Sequence, residues 1–277
     1  MKFTKVHGLG NDFILFDGRN EPERDWNAFT KQVCDRHTGI GADGTLIVLE
    51  SETCDIRMRI INADGSEAEM CGNGIRAFSK YVFENGIVLG TSFTVETGAG
   101  VMRPKIILSK GVITGVRVDM GEPLLECKDV PVAGVGRCVD WTLDVANQVR
   151  RVTAVRVGVP HAILFTERLD PLEVTTLGPL VENASLFPQR TNVNFVQVLD
   201  RTHITMRTWE RGCGPTLACG TGACSSVVAC VLNGRTERKV TVSLQLGNLE
   251  IEWTDDNHVY MTGPAATVFT GILTDPA

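Results

Sequence analysis

Two cysteines, each the first residue of the pattern Cys-Gly-x-Gly, are the side chains of this sequence best suited to chemistry. Cys71 lies in Met-Cys-Gly-Asn-Gly, and Cys219 lies in Ala-Cys-Gly-Thr-Gly, 148 residues further on. A thiol at a helix N-terminus faces unpaired backbone N–H groups and the positive end of the helix dipole, which both favour the thiolate. The same N–H groups can bind a carboxylate. The pattern therefore predicts a pair of acid/base thiols beside a bound carboxylate.

The likeness between the two stretches covers a whole strand, loop and helix. Residues 56–86 and 204–234 share eight identities in thirty-one aligned positions, where unrelated sequences would share roughly two. Taken alone, a Cys-Gly-x-Gly is more often a tight turn with a buried cysteine. Two copies of the motif, each in the same strand, loop and helix context, favour a single functional site formed by two similar halves over two unrelated buried cysteines.

Two thiols on opposite faces of one carbon would invert its configuration. One sulfur removes a proton as thiolate and the other returns a proton as thiol, so one cysteine is ionised and the other protonated in each direction. Each sulfur would have to approach that carbon to roughly 3–3.5 Å. The helix N-termini at the carboxylate would stabilise the developing carbanion. A redox pair is the rival interpretation, but such pairs normally have Cys-x-x-Cys spacing.

Composition limits the class of protein. The chain has 277 residues, enough for about two domains of ~150 residues, and a net charge of -6 that argues against nucleic-acid or anionic-membrane partners. No apolar stretch has the length of a signal peptide core or a membrane span, so a cytoplasmic protein is expected. Nine cysteines, odd in number and irregularly spaced, then indicate free thiols. No metal site is predicted from their spacing, and no pyridoxal lysine motif or nucleotide fingerprint is present, so no cofactor is expected.

Hydrophobic periodicity predicts the elements that must position the cysteines. The fold class expected is α/β, with two pseudo-symmetric domains, each a curled, mainly antiparallel, barrel-like sheet around a central helix. Residues 1–118 plus 263–277 would form the domain that carries Cys71, and residues 119–262 the domain that carries Cys219. Helices are predicted near 24–36, 71–85, 171–184 and 219–233. Strands are predicted near 2–7, 12–17, 45–50, 55–62, 91–97, 101–108, 112–120, 150–157, 161–166, 193–199, 202–209, 239–246, 248–253 and 257–261.

Five motifs together give the chain a resemblance to diaminopimelate epimerase, a pyridoxal-independent family of two-cysteine racemases and epimerases. They are HGLGNDFILFD (7–17), NADGSEAEMCGNGIRAF (62–78), PHAILF (160–165), TNVNF (191–195) and ERGCGPTLACGTGAC (210–224). The resemblance implies conversion of LL-diaminopimelate to the meso form, in lysine and peptidoglycan precursor synthesis. It also implies a cofactor-free isomerase with a small diamino dicarboxylate substrate, two α/β domains with the active site in the cleft between them, and a homodimer.

The resemblance carries roles over to particular residues. Cys71 and Cys219 match the catalytic pair, and His161 and Glu210 match groups thought to tune the cysteines. The backbone donors at the reacting carboxylate match Gly72, Asn73, Gly220 and Thr221, and the groups that hold the substrate match Asn11, Asn62, Asn192, Glu210 and Arg211. A bidentate cation beside an acceptor suits the distal zwitterion of such a substrate. Without the resemblance, His161 is equally well explained as a strand-capping residue, and Asn194 shares a strand face with Asn192 as its support.

Two departures allow an altered substrate, although the retained Glu210 and Arg211 keep diaminopimelate as the first choice. Many members have Gly-Asn-Pro-His where this chain has Gly-Val-Pro-His, so Val159 replaces an amide, and Gly44 stands where some members place a glutamine. Each change removes a possible hydrogen bond to the substrate. Racemisation of another amino acid, such as proline, hydroxyproline or histidine, is therefore the alternative function, and a non-catalytic amino-acid-binding or thiol-redox module is a third.

Overall fold

A computed structural model describes residues 1–145 and 148–274 of the chain. The first elements along the chain are β1 (Lys2–Gly8), β2 (Asn11–Asp17), α1 (Trp26–Cys34), β3 (Gly44–Leu49), β4 (Ile56–Asn62), β5 (Glu67–Ala68), α2 (Gly72–Glu84), β6 (Val95–Thr97), β7 (Gly100–Met102), β8 (Lys105–Ser109) and β9 (Val112–Asp119). The later elements are β10 (Trp141–Val145), β11 (Gln148–Val157), β12 (Val159–Phe165), α3 (Pro171–Glu182), β13 (Asn192–Asp200), β14 (His203–Glu210), β15 (Gly214–Thr216), α4 (Gly220–Leu232), β16 (Lys239–Leu244), β17 (Gly247–Trp253), β18 (Val259–Gly263) and β19 (Ala266–Ile272).

The chain divides into two compact units. The first comprises Met1–Val118 and Gly263–Ala277, and the second comprises Asp119–Thr262. Strand β19 belongs to the first unit because it pairs antiparallel with β1. Of the segment 263–277 that the sequence assigns to the first domain, residues 275–277 lie outside the described part of the chain.

The two units share one strand order. In the first unit it is β19-β1-β2-β3-β4-β6-β7, and in the second it includes β10-β11-β12-β13-β14-β16-β17-β18. Only β2/β3 and β4/β6 in the first of these series, and β12/β13 and β14/β16 in the second, are parallel neighbours. Each parallel pair is joined through one of the four helices, since a parallel connection needs a crossover. The predicted mixed α/β class with mainly antiparallel sheets is thereby confirmed, although neither series closes into a barrel within the described residues.

The helices α2 and α4 pack against the strands of their own units. In α2 the apolar stripe formed by Ile75, Phe78 and Val82 is fully buried. In α4 nearly every residue is small or apolar, and the helix packs against β11, β12, β13 and β17. A helix that is apolar on all sides needs cover on all sides. For α4 the strands of the second unit supply that cover.

The other face of the first sheet carries a second layer. Residues alternate between faces along a strand, so Ile14 and Phe16 of β2 point away from their neighbours Phe13 and Leu15. Ile14 and Phe16 pack with the apolar face of α1 in one core cluster. The aspartates at the helix starts, Asp25 for α1 and Asp170 for α3, accept hydrogen bonds from first-turn N–H groups and set where those helices begin.

Some predicted bounds were wrong for local reasons. The strand predicted over 101–108 is two strands, β7 and β8, with Pro104 between them, because proline has no N–H to donate to a ladder. Strands β5, β10 and β15 are short and were not predicted, and no strand was predicted over β19 although its segment was assigned to the first domain. No helix in the described ranges 1–145 and 148–274 is both long and apolar enough to cross a membrane.

Candidate active site

Cys71 is the N-cap of α2 rather than its first helical residue. Its backbone is extended, with φ -140° and ψ 120°, and its sulfur accepts a hydrogen bond from the N–H of Gly74 at 3.4 Å. A side chain at the N-cap lies among the N–H groups that the first helical turn leaves unpaired. The half-buried thiol of Cys71 is therefore held at the positive end of α2.

Asn11 is the polar neighbour of Cys71 in the same unit. Its Oδ1 lies 3.5 Å from the Cys71 sulfur and 3.3 Å from Nδ2 of Asn73. Its own Nδ2 donates to a carboxylate oxygen of Asp43 at 2.8 Å. A carboxylate only accepts, so Asp43 fixes the orientation of the Asn11 amide and leaves its oxygen facing the thiol.

A buried arginine braces the same helix start. Arg76 is fully buried, and its guanidinium donates to the carbonyl of Gly72 at 3.0 Å, to Oδ1 of Asn73 at 3.0 Å and to the carbonyl of Pro264 at 3.3 Å. Since guanidinium only donates, the Asn73 amide must turn its nitrogen toward Asn11. Arg76 was not predicted as a site residue; a charged residue inside the apolar stretch of α2 was the available signal.

Cys219 occupies the equivalent position in the second unit but has different neighbours. It is the N-cap of α4, with φ -127° and ψ 109°, and it is buried. Its sulfur lies 3.5 Å from the hydroxyl oxygen of Thr221. Its thiol is also hydrogen-bonded to Glu210. Burial raises the pKa of the Glu210 carboxyl, and hydrogen bonds with Thr216 and Cys219 offset part of that rise.

His161 reaches Cys219 through Thr221. Its Nε2 lies 3.0 Å from the Thr221 hydroxyl, and its Nδ1 lies 2.9 Å from Nδ2 of Asn194. The ring is fully buried, and burial, with a smaller contribution from Arg211, lowers the pKa of His161 to about 3. His161 is therefore neutral at physiological pH.

The remaining predicted residues lie at the ends of strands. Asn62 ends β4, and its amide donates to Ser66 in the loop that follows at 3.0 Å. Asn192 begins β13, where it donates to the carbonyl of Pro160 and accepts from the backbone N–H of Arg211 at 2.9 Å. The exposed guanidinium of Arg211 donates to the carbonyl of Gln189 at 3.0 Å. Thus Asn11, Cys71 and Asn73 are in contact, as are His161, Thr221, Cys219 and Glu210, while the side chain of Asn62 bonds only within its own loop among the described contacts.

Gly44 and Val159, the two residues that differ from the family pattern, lie in different structural environments. Gly44 faces the neighbouring strand so closely that a Cβ would lie 2.5 Å from the carbonyl oxygen of Ile61. No side chain fits there without a backbone shift. Val159 begins β12 and is 39% exposed, so its side chain leaves room for a different residue.

The other cysteines are in different environments. Burial raises the pKa of Cys34, Cys138 and Cys230 to about 12, so these thiols stay protonated and act as apolar side chains. Cys213 is an exposed residue; partial burial of its thiol and the negative charges of Glu210 and Glu182 raise its pKa. Within the described ranges no three His, Cys, Asp or Glu side chains are grouped as metal ligands.

Each unit thus presents a thiol at a helix N-terminus beside polar groups of fixed orientation. An oxygen acceptor, Asn11, faces Cys71, whereas a hydroxyl and a carboxyl group flank Cys219. The backbone N–H groups that follow each cysteine can bind a carboxylate. Such an arrangement suits proton transfer at a carbon next to a carboxylate.

Comparison with known proteins agrees with this chemistry. A family model for diaminopimelate epimerase matches residues 3–125 and 153–268. The diaminopimelate epimerase of Moorella thermoacetica is 53% identical over 274 residues, which cover 98% of this chain and 98% of that protein.

Solved structures share the fold at low sequence identity. A Bacillus anthracis phenazine biosynthesis protein of the PhzF family has a TM-score of 0.71 at 16% identity, covering 99% of both chains. A probable proline racemase from Agrobacterium radiobacter K84 has a TM-score of 0.70 at 16% identity, covering 99% of this chain and 93% of that one. Both therefore support a two-domain fold of this type.

Proposed function

Since the chain belongs to the diaminopimelate epimerase family and is an isomerase, we propose that it converts LL-diaminopimelate to meso-diaminopimelate by a two-base mechanism with Cys71 and Cys219. The observation that carries the proposal is the equivalent placement of the two thiols. Each cysteine is the N-cap of a 13-residue helix that follows the same strand and loop. The helices Gly72–Glu84 and Gly220–Leu232 lie at the same offset of 148 residues as the cysteines.

The reaction moves one proton off the α carbon and another onto it. A thiolate removes the α hydrogen, which breaks the C–H bond and forms S–H. The other thiol then donates its proton to the opposite face of the same carbon and becomes the thiolate. After one turnover the two sulfurs have exchanged protonation states, so proton exchange with water or a reverse turnover must restore the enzyme.

The helix N-termini stabilise the carbanion in this proposal. The backbone N–H groups of Gly72, Asn73, Gly220 and Thr221 are the donors assigned to the reacting carboxylate. Negative charge that develops on its oxygens during proton removal is favoured by donors already in place and by the positive helix ends. The mechanism needs no cofactor, because the thiols and these donors supply both the acid/base groups and the electron sink.

Substrate binding is assigned to side chains that can form further hydrogen bonds or ion pairs. Arg211 is exposed, and it would pair with the distal carboxylate, while Asn11, Asn62 and Asn192 would hold the remaining polar groups. The contacts of Glu210 favour tuning of Cys219 over binding of the distal amine, since Glu210 is bonded to Thr216 and Cys219. The product would supply lysine and peptidoglycan precursor synthesis.

A substrate panel tests the proposal. Purified, reduced enzyme should convert LL-diaminopimelate to the meso form, and should convert proline, hydroxyproline and histidine far more slowly. Arg211→Ala should raise KM for diaminopimelate by about tenfold or more, since a charge-assisted contact is lost. Arg190→Ala is the matched control, because Arg190 is an exposed arginine paired with Glu182. Inversion of another amino acid with no conversion of diaminopimelate would refute the substrate assignment.

A further inference from the structure

A continuous line of hydrogen-bonded side chains lies behind Cys219. The hydroxyl of Thr208 donates to Oδ1 of Asn194 at 2.9 Å, and Nδ2 of Asn194 lies 2.9 Å from Nδ1 of His161. Nε2 of His161 lies 3.0 Å from the hydroxyl of Thr221, which in turn lies 3.5 Å from the Cys219 sulfur. Thr208, Asn194 and His161 are buried. The line therefore connects β14, β13 and β12 to the N-terminus of α4.

The donor and acceptor properties of each group determine the direction of every hydrogen bond in this line. An amide nitrogen only donates, so Nδ1 of His161 must accept and carries no hydrogen. The single hydrogen of the neutral ring is then on Nε2, where it is donated to the oxygen of Thr221. The hydroxyl hydrogen of Thr221 remains available, and the neighbouring acceptor is the Cys219 sulfur. Thr221 is thus a donor to Cys219.

The opposite tautomer would reverse the last hydrogen bond. With its hydrogen on Nδ1, His161 would offer Nε2 as an acceptor, and Thr221 would donate to the ring instead of to the sulfur. A thiolate at Cys219 would then lose a hydrogen-bond donor. Hydrogen bonds to a charged form favour that form. The tautomer of His161 therefore affects the pKa of the Cys219 thiol through Thr221, without direct contact between the ring and the sulfur.

We propose that Asn194, oriented by Thr208, is a positioning residue that holds His161 in its Nε2-protonated tautomer and thereby keeps Thr221 as a hydrogen-bond donor to the Cys219 thiolate. The proposal rests on the proposed function, in which Cys219 ionises during each cycle. Glu210 is hydrogen-bonded to the same sulfur. Asn194 would therefore act on the base through two intermediate side chains.

The setting of His161 supports a neutral ring. Burial and the positive charge of Arg211 both disfavour imidazolium. The described hydrogen bonds of the ring are those to Asn194 and Thr221. Close packing holds the amide as well, since a Cβ at Gly222 would lie 2.6 Å from the Asn194 oxygen.

Nitrogen NMR of the substrate-free, full-length protein tests the tautomer directly. With ¹⁵N-labelled histidine, and His161 assigned by comparison with His161→Gln, the wild-type ring should show a protonated Nε2 and an unprotonated Nδ1 at neutral pH. A ring protonated on Nδ1, or on both nitrogens, would overturn the proposal.

Alkylation of Cys219 tests the consequence. The rate with iodoacetamide, resolved by peptide mass spectrometry, is measured against pH for wild type, Thr221→Val, Asn194→Leu and the double variant. Each single variant should raise the pH midpoint of Cys219 alkylation by about one unit, as loss of a hydrogen bond to an ion does. In the Thr221→Val background, Asn194→Leu should add almost nothing. Additive shifts would show that Asn194 acts through general packing, which contradicts the proposal.

Substitutions of two threonines distinguish an effect of the hydrogen-bonded line from a general loss of stability. Thr208→Val should shift the pH midpoint of Cys219 alkylation in the same direction. Thr208→Ser should leave that midpoint at the wild-type value, because serine keeps the hydroxyl. Thr153→Val is the matched control, since Thr153 is a buried, hydrogen-bonded threonine of β11 outside the line. A shift with Thr153→Val equal to that with Thr208→Val would contradict the proposal. These measurements need no substrate, so they stand apart from failure of the proposed epimerase reaction.

Discussion

At the scale of single residues, two cysteines with nearly the same backbone conformation have different surroundings. Cys71 accepts from the N–H of Gly74 and faces the amide oxygen of Asn11. Cys219 has no such cap bond and contacts Thr221 and Glu210 instead. At Cys71 the Gly74 N–H favours a thiolate and the Asn11 oxygen favours a thiol, whereas at Cys219 a hydroxyl donor favours a thiolate and the Glu210 carboxyl favours a thiol. The polar neighbours thus distinguish two positions that the helix N-terminus alone would make equivalent.

The Glu210 carboxyl gives a prediction of pH dependence. Burial raises its pKa, and the hydrogen bond from Thr216 lowers it. Thr216→Val removes the lowering contact, so the pKa of Glu210 should rise further and the acid limb of kcat/KM should move to higher pH. Thr216→Ser should restore the wild-type profile. A Thr216→Val profile identical to wild type would show that Glu210 does not control that limb.

Residue types and spacing could identify Cys71 and Cys219, because the repeat is visible without a structure. They could not identify Asp43 or Arg76, which act on the site through Asn11 and Asn73. Those contacts depend on which side chains the fold brings together and on which atom of each amide faces its neighbour. Asn194 was recognised only as a support for Asn192, whereas its amide bonds to His161.

At the scale of elements, both units repeat the same order of strand, short strand and cysteine-capped helix. Helix α2 follows β4 and β5, and helix α4 follows β14 and β15, with Asn85 and Asn233 as the C-caps at almost identical φ and ψ. Each helix is followed by a glycine with positive φ, Gly86 at 65° and Gly234 at 66°. The sequence therefore repeats the start and the stop signals of the helix as well as the cysteine.

Equivalent glycines in these helices should differ in their tolerance of a methyl group. A Cβ at Gly222 would lie 2.6 Å from the Asn194 oxygen and 3.3 Å from the Cys219 sulfur, whereas one at Gly74 would lie 3.2 Å from a terminal methyl carbon of Leu46 and 3.4 Å from Cβ of Cys71. Gly222→Ala should therefore reduce kcat by about 100-fold, the effect of a displacement of about 1 Å at a reacting group. Gly74→Ala should cause a much smaller loss. Equal kcat values for the two variants would contradict the assigned packing around Cys219.

The elements that were predicted well are those with strong periodicity or clear caps. The four helices in the described ranges were predicted within a few residues, since each has buried apolar residues at helical spacing and a clear start or stop signal. Of the strands that were not predicted, β5, β10 and β15 contain two to five residues, too few to show a period. The seven-residue strand β19 was not predicted either, and most of its residues are exposed. The positions of these four strands depend on pairing with β4, β11, β14 and β1, which is a property of the folded sheet.

At the scale of the whole molecule, each unit is closed by segments that are distant in the sequence. Strand β19 pairs with β1 in the first unit. In the second unit, Asp119 and His258 form a hydrogen-bonded ion pair at 2.9 Å, and the N–H of Met120 donates to Val259. Both ends of the second unit are therefore tied to each other.

The Asp119–His258 pair should make stability depend on pH. The hydrogen bond and the charge of Asp119 raise the pKa of His258. The pair's contribution is then fully present below the unfolded pKa of about 6.5 and is lost as pH rises through the higher folded value. Asp119→Asn should lower the Tm more at about pH 6 than at about pH 9. A Tm difference that is the same at both pH values would contradict this linkage.

The exchange of the α hydrogen in heavy water tests the two-base scheme most directly. In the first turnovers from LL-diaminopimelate, the meso product should carry solvent deuterium at the inverted carbon, because its new hydrogen comes from a thiol equilibrated with water. The unreacted LL substrate should still carry its original hydrogen. Cys71→Ala and Cys219→Ala should each abolish inversion. Product that retains the substrate hydrogen, or a single variant with full activity, would contradict the account.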